Sequence, residues 1–110
     1  MNITIDKQQR DEVVVVLVAG EIDAYTAPQL REELLSLAEA GNKVITVNLQ
    51  DVTYLDSTGL GVFVGLFKQL KENDGELKLI NLSERLQRLF QITGLCNVMN
   101  ISSTPEEGRQ

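Results

Sequence analysis

At 110 residues the chain is long enough for one hydrophobic core and too short for two. Ten basic against 16 acidic side chains leave a formal charge of −6, which argues against direct nucleic-acid binding and against anionic membrane surfaces, since both need a basic footprint. With no His and Cys96 as the one cysteine, an internal disulfide is excluded, zinc is disfavoured, and the usual general base near neutral pH is missing.

The scarcity of aromatic residues predicts an aliphatic core of Val, Leu and Ile. The start, Met1 to Asp6, has no basic segment followed by an apolar one, and the apolar run Val13 to Ala19 is far too short to span a bilayer. A cytoplasmic protein with no membrane partner is therefore expected.

Residues 2–8 alternate apolar and polar, as in an edge strand, and a polar turn at Gln9–Glu12 leads into the β-branched run Val13 to Val18. Gly20 to Tyr25 reads as a loop. Thr26-Ala27-Pro28-Gln29 fits a capping box, with Thr26 at the cap, Gln29 three residues later and Pro28 in the first turn. Leu30, Leu34, Leu37 and Ala38 then share one helical face, and Gly41 or Asn42 stops the helix.

Val44 to Leu49 is a second buried-type strand, and Val52 to Leu55 forms a further short strand or merges into a loop. The segment after Asp56 is expected to be helical to about Glu72, ended by Asn73-Asp74-Gly75, and followed by a strand at Leu77–Ile80. Ser83 caps a short helix carrying Leu86, Leu89 and Phe90, which Gly94 ends, and Val98 to Ile101 forms a last strand. The tail from Thr104 to Gln110 is polar, and Cys96 is expected to pack as a small apolar residue. This order predicts an α/β domain over residues 1–110, a mixed sheet of four to five strands packed with helices, with parallel βαβ units after an initial hairpin.

The most informative stretch is Leu55 to Phe67. On a helical wheel Leu60, Phe63, Val64 and Phe67 fall together toward the sheet, while Val62 and Leu66 point elsewhere despite being apolar. Each glycine in a helix interior costs roughly 1 kcal/mol relative to Ala, so Gly61 and Gly65 need a compensating reason. Two reasons compete: close packing on a neighbour, or a smooth patch with Val62 and Leu66 left open for a partner. Ser57 also reads two ways. It is the helix N-cap, or Asp56 caps and leaves its hydroxyl free for a kinase. A phosphate there would be tolerated, because the helix dipole and free N–H groups of the first turn favour negative charge.

Asp56-Ser57-Thr58-Gly59-Leu60-Gly61 resembles the signature of bacterial anti-sigma-factor antagonists, the STAS domain family. Gly20-Glu21-Ile22-Asp23 with Thr26-Ala27, and Leu89-Phe90 with Thr93-Gly94-Leu95, extend the resemblance in order over nearly the whole chain. It implies a single STAS-type domain whose phosphoacceptor is Ser57, no cofactor, and a monomer when free. The implied partners are an anti-sigma factor that is also a serine kinase, and a PP2C-type phosphatase that removes the phosphate. Partner-binding residues are expected at Glu21, Asp23, Tyr25 and Thr26 in one loop. The others are Asp56, Ser57, Thr58, Gly59, Gly61, Val62, Gly65 and Leu66 in the second motif. A phosphoserine beside Asp56, with Glu21 and Asp23 on the same rim, would place like charges inside the interface.

Three other readings compete. A ligand phosphate or nucleotide could sit at Ser57-Thr58-Gly59, but no Walker lysine follows. Catalysis by Ser57 has no His to activate it and no nucleophile elbow around it, so no catalytic residue is expected. A STAS domain used as a scaffold or transport accessory would keep the fold and change the role.

Overall fold

In a computed structural model, residues 2–11, 13–94 and 100–101 are described. The elements run β1 (Ile3–Arg10), β2 (Val13–Ile22), α1 (Ala27–Glu39), β3 (Val44–Leu55), α2 (Ser57–Glu72), β4 (Glu76–Ile80), α3 (Glu84–Thr93) and β5 (Asn100–Ile101). Val98 and Met99 of the expected last strand lie outside the described residues, as do Cys96 and the polar tail from Thr104.

The five strands form one sheet in the order β1-β2-β3-β4-β5. β1 and β2 are the expected antiparallel hairpin, with Arg10 opposite Val13, and every later neighbour is parallel. Each of the three crossovers steps in the same direction across the sheet. Right-handed connections therefore place α1, α2 and α3 on one face, and α2 is the middle helix. Two contacts fit that placement. α1 packs on α2, and the Phe63 ring of α2 meets the Phe90 ring of α3, with centroids 6.5 Å apart and planes tilted by 53°.

Beneath the helices lie Val14, Val16 and Val18 of β2, Ile45, Val47 and Leu49 of β3, and Leu77 and Leu79 of β4. The core is aliphatic except for the fully buried pair Phe63 and Phe90 at the α2–α3 contact. Phe63→Ala should lower stability by about 3–5 kcal/mol, the usual effect of emptying a buried aromatic site. A denaturant midpoint shift at unchanged slope would measure it.

Two strands are longer than their apolar runs. β2 continues through Gly20-Glu21-Ile22, and Val44–Leu49 joins Val52–Leu55 in one 12-residue strand. Pairing explains the extension, since Ala19, Gly20, Glu21 and Ile22 lie opposite Asp51, Val52, Tyr54 and Leu55 across register shifts. Gly20 is required there. Its φ is +111°, and a Cβ would fall 2.2 Å from the Asn2 carbonyl oxygen, which accepts the Glu21 N–H at 3.0 Å. The chain thus leaves the sheet at a fixed point, beside the end of β3.

Candidate partner-docking site

β2 and β3 end side by side, so two segments some thirty residues apart in sequence meet at one rim. Asp56 N–H donates to the Ile22 carbonyl at 3.2 Å, tying the start of α2 to the end of β2. Asp56 is extended (φ −108°, ψ −173°), and its carboxylate accepts the Gly59 N–H at 3.0 Å. Asp56 is therefore the N-cap. Ser57 follows as the first residue of the helix, exposed, with no side-chain hydrogen bond among the described residues. Of the two readings of Ser57, the geometry selects the free hydroxyl.

The loop before α1 departs from the expected capping box. Thr26 occupies the cap position in a helical conformation (φ −95°, ψ −20°) and its side chain caps no helix N–H; Gln29 is exposed. The Thr26 hydroxyl instead donates to the Glu21 carbonyl at 2.7 Å and accepts the Asp23 N–H at 2.9 Å. Asp23 Oδ1 accepts the N–H groups of Tyr25 and Thr26 at 2.9 and 3.1 Å. The physical reason is burial: the loop's own polar groups must be satisfied internally before the helix end is served. Asp23 and Thr26, only 6% and 5% exposed, brace the loop from within and offer a partner little surface. What they present outward is Tyr25, 85% exposed. Asp23 accepting the N–H groups two and three residues on forms an Asx turn, and the preference of Asp for such turns was the one hint of it in the sequence.

α2 corrects the helical-wheel expectation. Val62 and Leu66 are core residues, 4% and 1% exposed, whereas Val64 and Phe67 are only half-buried. A helix with neighbours on both sides buries a wide arc, here about 160° from Val62 round to Leu60, rather than a single stripe. The exposed arc holds Ser57, Thr58, Gly61, Gly65 and Lys68. Among the described residues nothing lies within 4 Å of a Cβ built on Gly61 or Gly65, so close packing between those residues does not account for either. Gly59 is different: a Cβ there would come within 2.5 Å of both Ile22 Cγ2 and Leu55 Cδ1. The patch is thus smooth and nearly bare around Gly61 and Gly65, and Val62, Leu66 and Gly59 belong to the packing beneath it.

Between the two segments lies an open, shallow cleft of about 540 Å³ lined by Glu21, Asp23, Ala24, Tyr25, Thr53, Tyr54 and Asp56. Thr53 and Tyr54 were not expected at the site. Their strand was legible, but the register that sets Tyr54 beside Glu21 was not. Among the described residues no group of acidic or thiol side chains could hold a metal, and no helix is long and apolar enough to cross a membrane.

A five-stranded mixed sheet with three helices on one face, and a capped helix start that leaves a serine exposed, define a small single-sheet α/β domain. The STAS domain model matches residues 4–108, and the chain belongs to that family. The chain is 56% identical to the Anti-sigma-B factor antagonist of Bacillus subtilis over 110 residues, covering all of both chains. Among solved structures, an Anti-sigma Factor Antagonist from Mycobacterium paratuberculosis superposes with a TM-score of 0.87 at 26% identity, covering 96% of this chain and 90% of that one. The Bacillus cell fate determinant SpoIIAA in its phosphorylated form gives 0.76 at 26% identity, covering 96% of each.

Proposed function

We propose that this chain is a phosphorylation-controlled anti-sigma-factor antagonist. Unphosphorylated, it binds an anti-sigma factor that is also a serine kinase, and so frees the sigma factor. Phosphorylation of Ser57 ends that binding, and a PP2C-type phosphatase restores it. The protein acts in the cytoplasm as a monomeric regulator rather than an enzyme. The observation that carries this reading is the division of labour at the start of α2, where Asp56 caps the helix and Ser57 is left exposed with no hydrogen bond from its hydroxyl to a described residue. Full-length similarity to the Bacillus subtilis antagonist supports the choice of partner.

The chemistry is electrostatic. A phosphate adds about −1.5 to −2 charge at neutral pH beside Asp56, and the helix N-terminus tolerates it. A kinase that modifies Ser57 must present nucleotide phosphates to its hydroxyl. After transfer, the new dianion faces the remaining nucleotide phosphates across the interface. The fold is kept and the complex is lost.

A ligand-phosphate or nucleotide role is disfavoured because the Asp56 carboxylate already takes the Gly59 N–H, one of the donors an unattached anion would need, and no Walker lysine follows. A scaffold role leaves the free hydroxyl unexplained. Incubation with the cognate kinase and ATP, followed by intact mass and peptide mapping, is expected to place one phosphate on Ser57. No phosphate, or a phosphate elsewhere, would overturn the proposal.

A further inference from the structure

Between α2 and α3 runs a seam that the rim at Ser57 does not include. Phe63 of α2 meets Phe90 of α3, so the arc of α2 that carries Leu60, Val64 and Phe67 beside Phe63 is its α3 side. On α3, Leu86 and Phe90 are buried, and Arg85, Leu89 and Ile92 follow one another along one flank at steps of four and three residues. Right-handed crossovers, with the right-handed turn of the helix itself, place that flank on the α2 side. Val64, Phe67 and Leu89 are only half-buried, and Ile92 is 77% exposed. Apolar surface therefore lines the seam outside the core.

Cations border it. Lys71 stands over the Phe67 ring, 5.7 Å from its centroid, and Lys68 lies on the outward side of the same helix. Arg85 and Arg88 are exposed along α3. Glu72 and Glu84, the acidic residues of the two helices, fall on the flanks turned away from the seam. None of the four cations forms an ion pair with a described residue. In a chain of net charge −6 this is a local reversal of sign, and it contrasts with the rim, where the charged residues are Glu21, Asp23 and Asp56. The two surfaces suit partners of opposite charge.

We propose that the α2–α3 seam docks the phosphatase, through an acidic segment of that enzyme with apolar side chains on one side. This rests on the phosphatase step of the function proposed above and names the surface by which that enzyme is held. Kinase and phosphatase both reach Ser57, yet the phosphorylated protein has to leave the first and be retained by the second. A contact that keeps its affinity once the phosphate has arrived does not depend on the rim, where the dianion joins three carboxylates. The seam starts at the same end of the helices, since Ser57 opens α2 and Arg85 stands in the first turn of α3. A partner lying along it carries its own reacting centre to the phosphoserine. In a metal-dependent phosphatase that centre is built from carboxylates holding cations, and an acidic neighbourhood is drawn to Lys and Arg.

Dephosphorylation kinetics test the seam. The full chain phosphorylated on Ser57 is prepared as wild type, as Ile92→Ser, and as the double substitution Arg85→Glu with Arg88→Glu, and each is given to the cognate phosphatase. Both variants should raise KM about tenfold at unchanged kcat, because the reacting groups are untouched. The wild-type KM should rise with salt, and that of the charge variant should not. Melting temperature and kinase affinity should stay at wild-type values, as all three side chains are exposed. A wild-type KM in both variants, or an equal loss of kinase affinity, would overturn the proposal. If the wild-type phosphoprotein is not a substrate of the phosphatase, the functional reading falls. The chemistry of the seam is then read by titrating the isotope-labelled full chain with an amphipathic peptide of leucine and glutamate and with its leucine–lysine counterpart. Shift changes at Val64, Phe67, Leu89 and Ile92 with the glutamate peptide alone are expected, and equal responses to the two peptides would remove the seam as a site for an acidic segment.

Discussion

Ser57→Glu is expected to bind the kinase at least tenfold more weakly than wild type, and the phosphorylated protein roughly a hundredfold more weakly. A like charge brought into an interface can cost several kcal/mol, and each 1.4 kcal/mol is about tenfold. Ser57→Ala should bind as wild type does and stay bound in the presence of ATP, because it has no hydroxyl to modify. The melting temperature should change little across the series. Ser57 is exposed, its side chain makes no hydrogen bond to a described residue, and the cap is supplied by Asp56. Calorimetry of each variant with the kinase, with and without ATP, reads both halves of the expectation. A phosphorylated protein that binds like wild type, or one that unfolds, would end the electrostatic account.

The glycines of α2 should respond with opposite signs to the same substitution. Gly59→Ala puts a methyl 2.5 Å from Ile22 and Leu55 side-chain carbons and 3.1 Å from the Ile22 carbonyl oxygen. Overpacking of this kind destabilises by roughly 1–3 kcal/mol. It would also push the start of α2 away from the β2 end to which Asp56 is bonded. Gly61→Ala and Gly65→Ala meet open space and should each stabilise the fold by about 0.5–1 kcal/mol through helix propensity. If a partner covers that face, bulky replacements such as Gly61→Leu should weaken binding while leaving stability at or above wild type. Thermal melts together with kinase affinity separate the two effects. A Gly61→Leu protein that binds normally would remove the bare face from the docking surface.

Position by position, the errors of the sequence reading share one cause. Thr26 looked like a helix cap because cap preferences are local, yet its hydroxyl was claimed by the Glu21 carbonyl once the loop was buried. Val62 and Leu66 looked spare because a wheel assumes one buried stripe, whereas a central helix has two flanks to cover. Val44–Leu49 and Val52–Leu55 looked separate because polar residues interrupt the apolar pattern, and pairing with β2 carried the strand through.

The sequence by itself determined the order of strands and helices, the hairpin followed by parallel units, the family signature, and the place of Asp56-Ser57 at a helix start. These depend on residue period, on caps and on turn chemistry, all of which act within a few neighbours. Tertiary structure alone decided that Asp56 caps and frees Ser57, that Gly59 packs while Gly61 and Gly65 lie bare, and that Glu21 stands beside Tyr54. Those outcomes turn on sheet register and on how many neighbours a helix has, which are set by contacts between residues far apart in the chain.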